Sequence, residues 1–163
     1  MSTNSYANYL PKHFDNFDCL KLAPGIYFIL LFILRAYIIW IMSVTNMRDH
    51  VGFIQWIYPK TALFYLNLVS GVIGLFIVLI LSLRRPTASA WVRICWKKCK
   101  ILLIVALVFD LLIGVLGAFI WHLQSITWLL VHCSLVIAAV SYIVKSKRFT
   151  INIAEFPEAL PEK

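Results

Sequence analysis

The sequence predicts an all-α protein, specifically a polytopic membrane protein with a four-transmembrane-helix bundle and both termini in the cytoplasm. Of its 163 residues, 62% are hydrophobic and 13% are charged, whereas soluble domains are roughly half apolar and about a quarter charged. The apolar residues form long uninterrupted runs, and the basic residues cluster beside those runs. Both patterns are typical of membrane proteins.

Four apolar segments are long enough to cross a bilayer, which takes about 20 residues for a helix. Two of them are separate runs, approximately 25–44 and 62–83. The third run, from Ile101 to Val144, would extend about 66 Å as one helix, roughly twice the hydrocarbon thickness. It must therefore fold back at its one polar interruption, "WHLQS" (121–125), which gives spans at 101–121 and 126–144.

The domain organisation follows from these spans. A single four-helix membrane domain covers 25–144, between an N-terminal segment (1–24) and a C-terminal tail (145–163), and a basic loop (84–100) joins its second and third spans. Twelve of the 15 Lys and Arg residues fall in those three connecting segments. The loop after the first span holds only Arg48 and Lys60. Because cytoplasmic segments are enriched in Lys and Arg, the basic segments, Lys12 and Lys163 among their residues, are expected to face the cytoplasm.

The net charge of +8 does not indicate a nucleic-acid partner, because the cations lie beside apolar runs. In the basic loop, Trp91, Ile94, Cys95 and Lys98 recur at helical spacing, which predicts a short interfacial helix on an anionic lipid surface. Its cations are expected to contact lipid headgroups: Arg84, Arg85, Arg93, Lys97, Lys98 and Lys100. A regulatory lipid-binding switch would use the same residues and stays open as an alternative.

Arg35 and Asp110 are the only Arg, Lys, Asp or Glu residues deep inside any predicted span. Both spans enter from the same side, so the two residues lie at nearly the same depth, about 15 Å. A charge there is costly and needs a partner, which predicts an intramembrane charge pair. Two alternatives remain: a hydrated polar pathway that also uses Asn67, His132 and Ser134, or separate partners in another subunit or in lipid.

Small residues indicate where the helices pack closely. Ala106, Gly114 and Ala118 follow one another at helical spacing around Asp110. The second span carries a similar stripe, which consists of Ser70, Gly71 and Gly74. Small residues let helix backbones approach each other within a membrane.

No pattern in the sequence predicts a cofactor, a metal or a catalytic group. Cys95 and Cys99 are four residues apart, not a Cys-x-x-Cys pair, and a disulfide-exchanging enzyme would need cysteine pairs that face outward. His50, His122 and His132 are poorly matched in depth for haem, although an outer-face metal site stays open. Ser-His-Asp spacing, a phosphate-binding loop and a carboxylate pair for hydrolysis are absent from the sequence.

Several short segments resemble a known family. These are "LKLAP" before the first span, "IYPKTALFYLNLVSG" after the outer loop, "LSLRR" at the end of the second span, and "FPE" beyond the last. With Arg35 and Asp110 in their spans, the chain resembles the YfeZ-like family of uncharacterised bacterial inner-membrane proteins over nearly its whole length. The resemblance implies a four-helix inner-membrane protein and supplies no substrate, cofactor or catalytic residue.

Three function hypotheses follow. The first is a non-catalytic accessory, assembly or scaffolding protein of the inner membrane, whose partners are anionic lipid and either another membrane protein or further copies of itself. The second is an oligomeric transporter or channel subunit for an ion or small solute, which uses the Arg35/Asp110 polar centre. The third is a membrane enzyme that acts on lipid or quinone.

Overall fold

A computed structural model describes residues 14, 15, 17, 19–45, 50–58 and 60–158. Three cations used in the orientation argument, Lys12, Arg48 and Lys163, lie outside the described residues. Within the described part the regular elements are α-helices, and one isolated antiparallel bridge joins Phe14 to Leu20. The predicted all-α class is confirmed.

Eight helices follow one another in the described chain: α1 (Pro24–Ile33), α2 (Arg35–Thr45), α3 (His50–Ile57), α4 (Thr61–Ser82), α5 (Ala90–Lys97), α6 (Cys99–Phe119), α7 (Ile126–Lys145) and α8 (Lys147–Ala154). By length and composition, α4, α6 and α7 could each cross a membrane, and α1 with α2 would make a fourth span if the bent pair is counted as one.

The first predicted span, 25–44, is not one straight helix. It divides at Leu34 into α1 and α2, whose axes differ by 70°. Backbone hydrogen bonds continue through the bend, because the Leu34 amide donates to Leu30 and the Ile38 amide donates to Leu34, at 2.8 and 3.0 Å. Hydropathy registers how apolar a segment is and carries no information on its direction, so the bend could not be predicted from it.

Two glycines of α4 lie where the bend crosses that helix. A Cβ atom added to Gly71 would lie 2.8 Å from the Tyr37 ring and 3.3 Å from the Ile33 carbonyl oxygen. One added to Gly74 would lie 2.8 Å from the Ile33 side chain. Such distances are below ordinary van der Waals contact, so both positions need glycine for the α1–α2 bend to pack this closely on α4.

The turn between α6 and α7 is short, as the sequence predicted. His122 has a positive φ of 48°, and the Leu123 amide donates to the Gly117 carbonyl at 2.8 Å. The Ser125 hydroxyl then caps α7 by accepting from the Trp128 amide. The two helices consequently form a tight hairpin and pack along each other.

Both ends of the described chain meet at the basic end of the bundle. The fully buried Asn152 of α8 accepts from the Ala23 amide at 3.0 Å and donates to the Leu20 carbonyl at 2.7 Å. The Leu20 amide donates to the Glu155 carboxylate at 2.8 Å. We call this arrangement of residues 19–23 and 147–155 the terminal clasp.

The clasp packs on α5 and completes the main core. The Trp96 indole donates to the carbonyls of Asn152 and Glu155, at 3.1 and 3.0 Å. The largest fully buried apolar side chains come from the clasp, α1, α5 and the long helices α4, α6 and α7: Trp96, Phe149, Leu20, Ile26, Ile33, Ile77, Ile80, Leu103, Leu107 and Ile143. The helix α8, in the segment predicted as a tail, was not expected from the sequence.

Candidate functional site

The polar centre of the bundle is built around Asp110 on α6. Its side chain is 1% exposed, and its two oxygens accept hydrogen bonds from three other helices. Arg35 of α2 donates to both oxygens, at 3.0 and 3.2 Å. Ser70 of α4 donates at 2.7 Å. The Nε2 atom of His132, on α7, lies 2.8 Å from Oδ2.

His132 contacts two other side chains. An ionised carboxylate can only accept hydrogen bonds, so Nε2 of His132 is the donor when Asp110 is ionised. The same imidazole packs edge-on against Phe32, with ring centroids 5.6 Å apart. The Asp110 carboxylate and the Phe32 ring therefore both contact the His132 imidazole.

Arg35 is satisfied by the same group of helices. Besides Asp110, its guanidinium donates to the Phe32 carbonyl at 3.0 Å and to the Asn67 side-chain oxygen. Its Cζ atom also lies 4.8 Å from the centre of the Phe32 ring. The Asn67 amide in turn donates to the Leu63 carbonyl of its own helix at 2.8 Å. Charge, hydrogen bonding and stacking thus all act on one guanidinium.

The burial of this polar centre affects both the attraction between its charges and the cost of removing them from water. The Coulomb attraction between opposite charges is much larger in a low-dielectric interior than in water. The desolvation penalty of a buried carboxylate is correspondingly large unless hydrogen bonds replace water. Asp110 receives four such contacts, and they link all the long helices at one point.

A cavity of about 120 Å³ adjoins the polar centre. Arg35, whose side chain is 26% exposed, lines it together with Asn67 and His132. Tyr58 and Gln124 contribute further polar groups to the wall. The volume suffices for several water molecules. Arg35 and His132 also line a second cavity, of about 190 Å³, together with Phe32 and Leu135.

The structure places the predicted charge pair together with two of the three predicted pathway residues. Asn67 and His132 lie at the polar centre, as does Ser70, which was assigned to helix packing. Ser134 does not reach it, because its exposed hydroxyl donates to the Val131 carbonyl of the same helix. Gly114 lies under the His132 ring, where an added Cβ would be 3.0 Å from Nδ1.

The predicted packing residues of α4 are buried, as are two of those on α6, whereas Gly114 is half-buried. Ala106 and Ala118 are among the least exposed residues of α6, and Gly71 and Gly74 contact the α1–α2 bend.

Sequence reasoning missed two residues of the cavity wall, Tyr58 and Gln124. Gln124 donates to the Gly114 carbonyl at 2.6 Å and so closes the hairpin over the polar centre. Its position in "WHLQS", a polar interruption in an apolar run, was a usable signal. Tyr58 carried no comparable signal, because it belongs to a run of interfacial aromatics.

The basic loop contains a short helix, α5, and the residues that it buries in the protein are not those of the stripe predicted to contact lipid. Val92 and Trp96 are buried, whereas Trp91 and Ile94 are exposed. Arg84 stacks on the Trp96 ring at 4.6 Å. Arg93 lies 5.2 Å above the Phe156 ring.

The other cations predicted to contact headgroups differ in exposure. Arg85, Lys97 and Lys98 are exposed, whereas Lys100 is half-buried.

The other candidate chemistry has no built site in the described part of the chain. No group of three or more His, Cys, Asp or Glu residues there could hold a metal ion. Cys19, Cys95, Cys99 and Cys133 are free thiols. The side chain of His50 lies outside the described residues.

Comparison with known proteins gives one family match. A family model described as "Protein of unknown function (DUF2919)" matches residues 9–155. The chain belongs to the DUF2919 family. Searches of curated proteins and of solved structures found no match. Membership in DUF2919 therefore supplies no activity to transfer to the polar centre.

Proposed function

We propose that this DUF2919 protein is a non-catalytic integral membrane protein that acts as an accessory, assembly or scaffolding component of the bacterial inner membrane. Its long apolar helices are compatible with a membrane protein, and the resemblance to YfeZ-like proteins supports the inner membrane. In this proposal both termini and the basic loop face the cytoplasm.

The proposal rests on one observation: side chains of the same chain form hydrogen bonds to both carboxylate oxygens of Asp110. Its partners Arg35, Ser70 and His132 come from three different helices. A network of this kind specifies which helices meet and in what rotation, which is the best-attested use of buried polar groups. A helix bundle fixed in this way presents an apolar outer surface to lipid and to other membrane proteins.

The helix α7 is the least buried of the three long helices. It packs mainly on α6, and several of its large apolar side chains are half or more exposed, including Trp128, Leu130 and Ile137. We propose that this face contacts lipid and either a partner membrane protein or a second copy of the chain.

One observation favours a second candidate, an oligomeric transporter or channel subunit for an ion or small solute. The cavity beside Arg35 adjoins a helix that is interrupted inside the membrane region. Transporters place substrate sites at interrupted helices of this type. In this candidate, Arg35, Asn67 and His132 would line the path.

The double variant Arg35→Gln with Asp110→Asn separates the two candidates. Exchanging the charges instead would place an arginine against the donors Ser70 and His132, so the neutral pair is the cleaner change. Under the scaffold proposal, wild-type protein in liposomes gives no H⁺, K⁺ or Cl⁻ flux above protein-free liposomes. A flux that the folded double variant abolishes would contradict that proposal and support the transporter.

A second measurement tests the scaffold role directly. Cross-linking in native membranes followed by purification of the full chain is expected to yield one membrane protein, or a second copy, in stoichiometric amount. The double variant should retain this association, because the α7 face is unchanged. Recovery of the protein alone, as a monomer, would argue against a scaffold.

A further inference from the structure

We propose that a pocket at the basic end of the bundle binds the phosphate group of an anionic lipid. The pocket has a volume of about 510 Å³. It is separate from the polar centre, and Lys21, Arg84 and Arg148 line it together with Asp15 and Tyr27. The inference rests only on the membrane placement in the proposed function, and it holds for a scaffold or a transporter alike.

The three cations converge from parts of the chain that are distant in sequence. Lys21 belongs to the N-terminal segment of the terminal clasp, Arg84 follows α4, and Arg148 lies on α8. Arg148 is positioned by hydrogen bonds from its Nε and Nη2 atoms to the Lys21 carbonyl, at 3.3 and 3.0 Å. Among the described residues that line the pocket there are three cations and one carboxylate, that of Asp15, which gives this lining an excess of positive charge.

Arg84 is the most desolvated of these cations. Its guanidinium stacks on Trp96 and donates to the Glu155 carbonyl at 3.3 Å, and both of these groups are neutral. Burial lowers the pKa of Arg84, although the nearby acidic groups, including Glu155 and Asp15, act in the opposite direction. A cation in such surroundings attracts an anion more strongly than a fully hydrated one does.

The pocket lies at the boundary of the apolar helices, which is the level of lipid headgroups. Pro24 begins α1, and Arg84 comes two residues after the end of α4. Tyr27, one turn into α1, is 56% exposed, and tyrosine is enriched at this level of the membrane.

The N-terminus of α1 adds to the attraction for an anion. It has no side-chain cap and no acidic residue in its first turn, so its positive dipole end is not countered locally. This contribution supplements the cations and would not define a site alone.

The same phosphate chemistry could come from a free phosphate or from a lipid, and the walls favour the lipid. Leu22, Pro24 and Tyr27 form an apolar side to the pocket, next to the exposed apolar surface of α1. A lipid phosphate can contact the cations while its glycerol and acyl chains follow α1 into the bilayer. A free phosphate would gain nothing from this apolar side.

The test is a titration of the full chain in detergent with phosphatidylglycerol, followed by native mass spectrometry. Arg148→Gln and Lys21→Gln are each expected to weaken binding about fivefold, because one cation near a headgroup contributes about 1 kcal/mol. Lys21→Gln keeps the backbone carbonyl that holds Arg148. The matched control is Lys147→Gln, which removes the neighbouring exposed charge of α8 outside the pocket and should leave affinity unchanged.

Three results would overturn the proposal. Equal weakening by Lys147→Gln and the pocket variants would mean general attraction to a basic surface. If both pocket variants keep the wild-type affinity for phosphatidylglycerol and the wild-type melting temperature, the pocket is not the binding site. Displacement of the lipid by millimolar inorganic phosphate would assign the pocket to free phosphate. None of these readouts depends on flux or on a protein partner, so failure here leaves the proposed function to its own tests.

Discussion

Asp110 shows how one residue acquires its role from the helices around it. A carboxylate with a single cation partner in a membrane would still have lone pairs to satisfy. In this protein Ser70 and His132 supply the remaining donors. Each of them comes from a helix that carries no charge in that region. Ser70 and His132 thus satisfy lone pairs of the Asp110 carboxylate that Arg35 leaves unpaired.

The residue-scale prediction concerns Asp110→Asn. This change leaves the Arg35 charge without its counter-charge and should lower the free energy of unfolding by about 3–5 kcal/mol. Ser70→Ala removes one neutral donor and should cost about 1–3 kcal/mol, the larger figure applying if the carboxylate oxygen finds no other donor. Unfolding of the purified protein in mixed micelles with increasing denaturing detergent measures both.

A double-mutant cycle provides the control for this prediction. Arg35→Gln combined with Asp110→Asn should cost less than the sum of the two single changes, because the residues are in direct contact. Strict additivity would show that the two side chains do not interact in the folded protein.

The sequence predicts only some of the residues that form the polar centre. Arg35 and Asp110 stand out because charges are rare in apolar runs, and similar depth predicts that they can meet. The rotation of each helix about its axis depends on packing in three dimensions. For that reason Ser70 was assigned to packing and Ser134 to the polar pathway, whereas Ser70 contacts Asp110 and Ser134 does not.

At the scale of elements, the crossing of the α1–α2 bend over α4 leads to the second prediction. Gly71→Ala would push a methyl group against Tyr37 and the Ile33 backbone, and such overpacking costs about 1–3 kcal/mol. Gly117→Ala is the matched control, since its nearest neighbour would be 3.6 Å away, an ordinary contact distance. Its melting temperature should stay the same or rise, because alanine favours helix.

Thermal denaturation monitored by size-exclusion chromatography distinguishes these two variants. Equal melting temperatures for Gly71→Ala and wild type would mean that α1, α2 and α4 do not approach closely.

The terminal clasp leads to the third prediction. Asn152→Ala removes the acceptor of the Ala23 amide and the donor to the Leu20 carbonyl, so residues 19–23 should detach more readily. Cys19 is buried in the clasp and should react faster with a maleimide in this variant than in wild type. Mass spectrometry of the labelled peptides separates Cys19 from the other thiols.

Thr150→Ala is the control for the clasp variant. The Thr150 hydroxyl is exposed and donates to the carbonyl of Ser146, the residue that precedes α8. Rapid labelling of Cys19 in wild type, or equal labelling in both variants, would contradict the proposed role of Asn152.

Elements differ in how far the sequence predicts them. The α4, α6 and α7 helices begin and end within two residues of the spans expected from hydropathy, because a bilayer-length apolar run has few other stable structures. The bend at Leu34 and the helix α8 depend on contacts with α4 and α5. Such contacts join residues far apart in the chain and leave no local signal.

At the scale of the whole molecule, the placement of the basic segments predicts an orientation. The clasp and α5 lie at one end of the bundle and the α6–α7 turn at the other. We therefore predict that Thr87→Cys, in the basic loop, faces the cytoplasm, and that Ser125→Cys, in the turn, faces outward. Both native residues are exposed.

A membrane-impermeant thiol reagent applied to intact cells tests this orientation. Only Ser125→Cys should be labelled in intact cells, and both should be labelled after the cytoplasmic side is opened. The reverse pattern would show that the protein has the opposite orientation in the membrane. The lipid pocket would then lie in the other leaflet.

The terminal clasp also has a consequence for biosynthesis. Leu20 is synthesised well before its partner Glu155, which is 135 residues further along the chain. Every growing polypeptide must therefore pass through a stage in which α1 to α7 have been synthesised but residues 19–23 still lack their final neighbours. The clasp can therefore close only after translation has passed the end of α8.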